Sequence, residues 1–422
     1  MNSRKRNLFL RNANLSILVL GQIISLFGSA IQRFAFSLYV LDITGSGSVF
    51  ASILAFSMIP IVILAPVAGV IADRLNRKNV MVVLDFISAG LIFAYAVFLA
   101  RGTDSVMMVG IVSFLLSGIS TIYQPTVTSS IPDIVEEDEL MAANGMVQQV
   151  SSLSNLLGPI LAGIFYGFLG IKGIVLINAV SFCFSAIMEL FLKMPKKHII
   201  SEGNIFRIFV GDIKESNAYL RNENRIIFRM IFTSGLYNLF LVPIFSVGAP
   251  YIIKITLGMS DQTYGFAEGV IALGMIVGAM IVSMWPKRFS IRTVYRVLYV
   301  SVVCMFMMGA VLLLPKEAIA SRFMIAIGFT LFGSGIMLVL GIANVITASF
   351  MQTSVPSHML GKISAYGLAF ATVCVPLGQL LFGAFLDVMS DKVSLLVILF
   401  SIFTFGVTLI VRWNVRQIKE TI

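Results

Sequence analysis

Two ionisable side chains stand inside long apolar segments of the sequence, where charge is rare. Arg33 lies in the second half of the first apolar segment, and Glu268 lies in the first turns of the eighth. Lipid disfavours a charged group, so charges in such segments pair with one another or mark an ion or substrate pathway. A guanidinium can bind an anionic group, and a carboxylate in apolar surroundings can take up and release a proton. Arg33 and Glu268 are therefore candidates for substrate binding and proton coupling.

The segment that contains Arg33 has one polar stripe. Gln22, Ser25, Ser29 and Arg33 recur at spacings of three and four residues, which places them on one helical face. Such a face is expected to line a central cavity rather than lipid. Other polar residues are weaker candidates, because Ser, Asn and Gln also bridge helices. Those that we add to the predicted site are Gln149, Asn155, Tyr237 and Asn238. Tyr123, in the fourth segment, is a further polar residue that is not included in the predicted site.

The loop between the second and third apolar segments has the densest group of charges. Its sequence is Gly69-Val-Ile-Ala-Asp73-Arg74-Leu-Asn-Arg77-Lys78. Charge and irregular backbone are unfavourable in lipid, and the net positive charge of the loop indicates the cytoplasmic side. An aspartate there can accept hydrogen bonds from a helix N-terminus, and the basic residues can bind carboxylates or lipid phosphates. Asp85, in the third segment, is the nearest candidate partner for Arg77, and such a pair could have a role in transport or be a structural ion pair.

A second motif combines proline with small residues in the fifth segment, at Gly158-Pro159 and Ala162-Gly163. Proline removes a backbone donor, and small residues let a neighbouring helix approach closely. The motif could bend and seal a helix pair, or it could be ordinary helix packing. Two further acidic residues, Glu189 and Asp387, lie near the ends of apolar segments and are expected to be interfacial.

The composition is that of a polytopic membrane protein. Of the 422 residues, 58% are hydrophobic and only 12% are charged, far more apolar than a soluble domain needs. A membrane-spanning helix needs about 20 apolar residues. We predict twelve such spans, at 14–41, 49–72, 79–100, 106–129, 142–169, 172–194, 226–253, 263–285, 293–314, 321–348, 360–388 and 393–413.

The net charge of +10 is explained by membrane topology. With both termini in the cytoplasm, most Lys and Arg residues fall on the cytoplasmic side, as the positive-inside rule requires. This distribution argues against a nucleic-acid partner. The exceptions are Arg33 within a span and, on the outer side, Arg101, Lys172, Lys254, Lys316, Arg322 and Lys392.

One long polar segment divides the spans into six and six. We predict an N-terminal six-helix bundle over 1–192, a cytoplasmic linker over 193–225 and a C-terminal six-helix bundle over 226–422. Apolar residues of the linker fall mostly on one helical face, which favours an amphipathic helix on the inner membrane surface over a solvated linker. Gly158 and Gly163 recur at the same separation as Gly378 and Gly383. Such internal symmetry is typical of transporters whose halves rock around a central site.

The sequence lacks the usual patterns of enzymes and metalloproteins. It has no zinc-ligand spacing, no phosphate-binding glycine loop and no nucleophile elbow, and Cys183, Cys304 and Cys374 are far apart in apolar segments. We therefore predict that the protein is not an enzyme and binds no cofactor or metal. Without a nucleotide-binding loop, transport would run on an ion or substrate gradient.

The loop at Asp73 resembles the signature between helices 2 and 3 of the major facilitator superfamily, in which Gly69, Asp73-Arg74 and Arg77-Lys78 have matching spacing. Asn76 stands where the family has a glycine, and asparagine also tolerates left-handed backbone. Gly158-Pro159 resembles the motif of antiporters in this superfamily, although Ala162-Gly163 replaces the usual glycine pair. Within the superfamily, the bacterial macrolide-efflux and siderophore-export branch is most similar, through the Asp73 loop, Asp42–Ser46 and Val355–Lys362.

This resemblance implies an all-α membrane fold with twelve transmembrane helices in two pseudo-symmetric six-helix bundles. It implies that spans 1 and 8 line a central cavity, where Arg33 and Glu268 would pair, or alternate between each other and a substrate. A static buried pair that fixes helix register is the alternative. The resemblance also implies that Asp73 latches the two halves by bonding the N-terminus of span 11, and that the Gly158-Pro159 motif limits leak.

We therefore predict a secondary active transporter in the bacterial cell membrane, a proton-driven exporter of amphipathic small molecules that works as a monomer. Its expected partners are the small-molecule substrate, protons and the lipid bilayer. An importer of a small nutrient or anion is a second hypothesis, which Arg33 would suit. A third is a membrane sensor that uses the same fold without transport, because fold alone does not determine function.

Overall fold

The computed structural model describes residues 12–103, 105–194, 205–222 and 224–417. Side chains at 66, 67, 69, 70, 73, 74, 155, 205–210, 212, 357 and 358 also lie outside the description. Four predicted site residues are therefore placed only by the backbone of their helices. These are Gly69, Asp73, Arg74 and Asn155.

Over these described ranges the chain is helical and contains no strand. The helices of the first half are α1 (Ala13–Thr44), α2 (Gly47–Arg74), α3 (Arg77–Ala100), α4 (Val106–Ser130) and α5 (Leu140–Leu190). Helix α6 (Ile205–Asn222) lies within the predicted linker. The second half contains α7 (Arg225–Phe240), α8 (Asp261–Met284), α9 (Val294–Val311), α10 (Ile319–Ser354), α11 (Ser357–Val388) and α12 (Val393–Arg416).

Eleven segments of the described chain are long and apolar enough to cross a membrane. One of them, Glu137–Leu190, is 54 residues long and contains α5. It is interrupted at Gly170, where φ is 60° and ψ is −176°, a conformation that glycine adopts without a Cβ clash. The interruption falls between the predicted spans 142–169 and 172–194, so this segment accounts for both of them. The predicted all-α membrane fold is confirmed, and the orientation of the termini stays a prediction.

The seventh predicted span is not one regular helix. Helix α7 ends at Phe240 and is followed by two π-helical turns, Ile244–Gly248 and Tyr251–Thr256. Pro243 stands directly before the first turn and Pro250 directly before the second. Because proline has no N–H, each of these prolines removes one backbone hydrogen bond of a regular α-helix. A π-helical turn, with its wider hydrogen-bond spacing, lets the helix continue past that position.

The chain divides into two compact units. The first unit comprises Met1–Ile43 and Phe56–Ile208, and the second comprises Thr44–Ala55 and Phe209–Ile422. In the second unit the Asp387 carboxylate, at the end of α11, accepts hydrogen bonds from the backbone N–H groups of Gly47 at 2.9 Å and Ser48 at 3.2 Å. It thus caps the N-terminus of α2, where backbone donors have no partner within the helix.

Helix α6 packs on the second unit through its last turns. Leu220 is fully buried against a cluster that includes Ile227, Val355 and Met359. An exposed ion pair between Lys362 and Glu215, at 2.8 Å, adds a polar contact between α11 and α6. The position of this helix on the membrane surface stays a prediction.

Candidate functional site

The Arg77 side chain has a different partner from the one expected. Its Nη1 lies 2.6 Å from Asp133 Oδ2, and its Nε donates to Ala72 O at 2.9 Å. The predicted pair with Asp85 is therefore wrong. Asp85 lies two turns deeper in α3, about 12 Å along the axis at ~1.5 Å per residue, whereas Asp133 follows directly after α4 at the same end of the first unit. The basic end of α3 is thus held by an ion pair with the end of α4.

Two neighbours of Arg77 hold the same loop in place. Asn76 has φ −66° and caps α3, with its side chain accepting from the N–H of Asn79 at 3.1 Å. Its tolerance of left-handed backbone, which we expected to matter, is not used. Lys78 Nζ donates to Leu190 O at 2.6 Å, so that its positive charge lies at the C-terminal end of α5, as the helix dipole favours.

A buried polar cluster lies inside the first unit. Gln22 Nε2 donates to the Tyr123 hydroxyl at 2.9 Å, and that hydroxyl donates to Glu189 Oε1 at 2.6 Å. Gln22 is 0% exposed, and Asp85 and Glu189 are each 1% exposed. Ser185, one turn before Glu189, lies beside Asp85. This group of five residues, which we call the acid cluster, joins α1, α3, α4 and the end of α5.

The acid cluster shows that the polar stripe of α1 does not share one environment. Gln22 is bonded within the first unit and does not share the exposed position of Arg33. Glu189 lies at the end of α5, as expected, and its side chain is buried inside the protein. Its interfacial position stays a prediction. Sequence position gives the depth of a residue along its helix, but not the neighbour that its face meets. A signal was nevertheless present, because Tyr123, Asp85 and Glu189 all lie toward the span ends that the predicted topology places on one side.

The polar stripe of α1 changes environment along its length. Ser25 is buried, Ser29 is half-buried and donates to Ser25 O at 2.7 Å, and Arg33 is exposed. Glu268, in α8 of the second unit, is half-buried, and its Oε2 accepts no hydrogen bond from any described residue. Arg33 and Glu268 belong to different units, and their pairing stays a prediction.

The other predicted site residues differ in their surroundings. In the second unit the Tyr237 hydroxyl is hydrogen-bonded to Thr408, and Asn238 Nδ2 donates to Ala371 O at 3.2 Å. These two side chains therefore bridge helices, which was the alternative role for such residues. Gln149 is exposed on α5.

The glycine and proline motif of α5 is a site of close helix approach. A Cβ on Gly158 would lie 2.6 Å from Ala30 Cβ on α1, while Pro159 lies inside α5 and Gly163 is buried. The corresponding glycine of the second unit, Gly378, meets α7, where an added Cβ would lie 2.1 Å from Leu239 O. In each unit a glycine at the matching position thus admits a neighbouring helix, which is α1 in the first unit and α7 in the second.

Comparison with known proteins assigns the chain to a family. The model of the Major Facilitator Superfamily matches residues 18–375. The chain belongs to the major facilitator superfamily. A solved structure of the nucleoside transporter NupG has a TM-score of 0.71 and covers 98% of this chain and 100% of that one, at 14% identity. At that identity the likeness shows the fold alone.

Two relatives within the superfamily are similar over most of their length. The macrolide efflux protein A of Streptococcus pyogenes is 25% identical over 377 residues, which cover 87% of this chain and 88% of that protein. The multidrug efflux pump Tap of Mycolicibacterium fortuitum is 23% identical over 405 residues, which cover 93% of each chain. The protein is therefore a multi-pass membrane protein of a transporter family with bacterial relatives.

Proposed function

We propose that this protein exports amphipathic small molecules across the bacterial cytoplasmic membrane, driven by the proton gradient and working as a monomer by alternating access. The observation that carries the proposal is the similarity, over nearly the whole chain, to relatives named for macrolide and multidrug efflux. Glu268 is the candidate proton carrier, because it is a carboxyl group within a span and its buried Oε2 accepts no hydrogen bond from the described residues.

The composition of the chain suits this class of substrate. It contains 22 Met and 34 Phe residues. Methionine is flexible and polarizable, and aromatic rings offer large apolar surfaces, so a site built from them adapts to bulky molecules of different shape. Within the proposal, Asp73 and Arg77 form the gate and Gly158-Pro159 limits leak.

An accumulation assay in a bacterium without its own efflux pumps tests the proposal. Cells carrying the wild type should accumulate less of a macrolide or a cationic dye than cells with empty vector, and a protonophore should remove the difference. Glu268→Gln and Asp73→Asn should lose protection, whereas Glu317→Gln, at an exposed loop position, should retain it. Equal accumulation in wild-type and vector cells for every compound would contradict export.

Arg33 favours a second candidate, the import of a small anion. Its side chain is exposed within the span α1, where an uncompensated guanidinium needs a negatively charged partner. Intact cells would then accumulate a radiolabelled anionic nutrient, and Arg33→Gln would abolish the uptake. If uptake is unchanged by the variant, the anion hypothesis fails.

A further inference from the structure

The acid cluster holds two carboxyl groups for which the described residues supply no cationic partner. Asp85 and Glu189 are close enough to interact electrostatically, and both are almost fully buried. Among the described residues, no basic side chain pairs with either of them. Lys78 approaches the same end of α5, but it donates to Leu190 O and not to a carboxylate.

Three oxygens of the acid cluster accept no hydrogen bond from any described residue. They are Asp85 Oδ2, Glu189 Oε2 and Gln22 Oε1. The other oxygen of Glu189 accepts from the Tyr123 hydroxyl, which in turn accepts from Gln22. The one hydroxyl donor of Tyr123 is thus already used, while these three buried acceptors have no donor among the described residues.

Two buried carboxyl groups without a cationic partner favour the binding of a proton. Moving one unpaired carboxylate out of water is strongly unfavourable, and a second anion beside it adds repulsion. A proton on Glu189 Oε2 or Asp85 Oδ2 removes one charge and supplies the missing donor. Among the described residues, Tyr123 from α4 is the other titratable group that faces the pair. From α1, the Gln22 amide and the Gly21 carbonyl take part in hydrogen bonds of the cluster.

We propose that Asp85 and Glu189 form a proton-binding site inside the first unit, in which one of the two carboxyl groups is protonated. Binding forms one O–H bond on Glu189 Oε2 or Asp85 Oδ2, and release returns the proton to water. The use of this proton in transport rests on the proposed proton-driven function. The binding itself does not, because it follows from burial and from the absence of a cationic partner in the described cluster.

Infrared difference spectroscopy of the purified full-length protein tests this site. The wild type at neutral pH should show the C=O band of a protonated carboxyl group, shifted in heavy water, which the double variant Asp85→Asn/Glu189→Gln lacks. Glu268→Gln, at a buried carboxyl oxygen outside the cluster, should keep this band. If the wild type and the double variant have the same spectrum in this region, both carboxyl groups are ionised and the proposal fails. It also fails if sodium at constant pH removes the band, because the site then takes a metal cation.

The single variant Tyr123→Phe provides a second test, which does not depend on whether the double variant folds. This change removes only the hydroxyl that donates to Glu189, so the band should move to higher frequency without disappearing. An unchanged frequency would contradict the assignment to Glu189. A proton-coupled transport assay of the double variant then separates the two claims. If the double variant loses the band but still transports substrate with protons, the site binds a proton that transport does not use. If the wild type shows the band but no proton-coupled transport, the proposed function fails while the proton-binding site stands.

Discussion

Arg77 determines how three helix ends meet in the first unit. Its guanidinium bridges the carbonyl of Ala72, at the end of α2, and the carboxylate of Asp133, after α4. Neither side chain of the ion pair is fully exposed, since 16% of Arg77 and 8% of Asp133 remain accessible. Removing one partner of such a pair costs more than removing one partner of a surface pair, because the remaining charge is left poorly solvated.

We expect Arg77→Gln and Asp133→Asn each to destabilise the protein by about 1–3 kcal/mol, the cost of an unsatisfied buried polar group. The double variant should cost less than the sum of the two, because both changes remove the same contact. Thermal unfolding of the purified protein measures all three. Lys362→Gln is the control, since its pair with Glu215 is exposed and should contribute less than about 1 kcal/mol. Additive effects of the two single changes would show that the pair is not coupled.

At the scale of elements, α8 and α10 form the closest helix pair that the glycines reveal. A Cβ on Gly274 would lie 2.2 Å from Ser334 O, and one on Gly278 would lie 2.0 Å from Leu338 O. These two glycines are four residues apart, the spacing at which small residues let membrane helices approach closely. The sequence contained this signal in the spacing of the two glycines, but the predicted site was built from charged and polar residues and left it unused.

Gly278→Ala should destabilise the second unit by about 1–3 kcal/mol, because the new methyl group meets backbone that can move only if the helices separate. Gly406→Ala is the matched control, since no atom lies within 4 Å of the added Cβ. It should be neutral or stabilise α12 by up to about 1 kcal/mol, the difference in helix propensity. Thermal unfolding of both variants in the same detergent makes the comparison. Equal melting temperatures would contradict the close packing.

The sequence predicted the helices well and their irregularities poorly. Apolar length alone located the spans, because a membrane-crossing helix needs a fixed number of apolar residues. The turn at Gly170 was expected as a loop, yet it is a single-residue break in an otherwise continuous apolar stretch. The π-helical turns after Pro243 and Pro250 were not predicted, since hydropathy does not distinguish a π-helix from an α-helix.

At the scale of the whole molecule, the candidate site was less predictable than the fold. The sequence identified Asp85, Tyr123 and Gln22 as polar residues worth attention, but it did not join them with Glu189. That assembly depends on the rotation of α1, α3, α4 and α5 about their axes, which single-span patterns do not determine. The predicted pairing of Arg33 with Glu268 concerns residues of different units, so neither apolar segment determines it alone, and it stays a prediction.

The most direct test of proton-driven export follows a pH-sensitive dye inside energised inverted membrane vesicles when a macrolide is added. If the protein exports its substrate in exchange for protons, the substrate should enter the vesicles while protons leave them, so that the acid interior becomes less acid. Glu268→Gln vesicles should show neither signal. Vesicles that acidify normally but neither accumulate the macrolide nor lose protons on its addition would contradict proton-driven export.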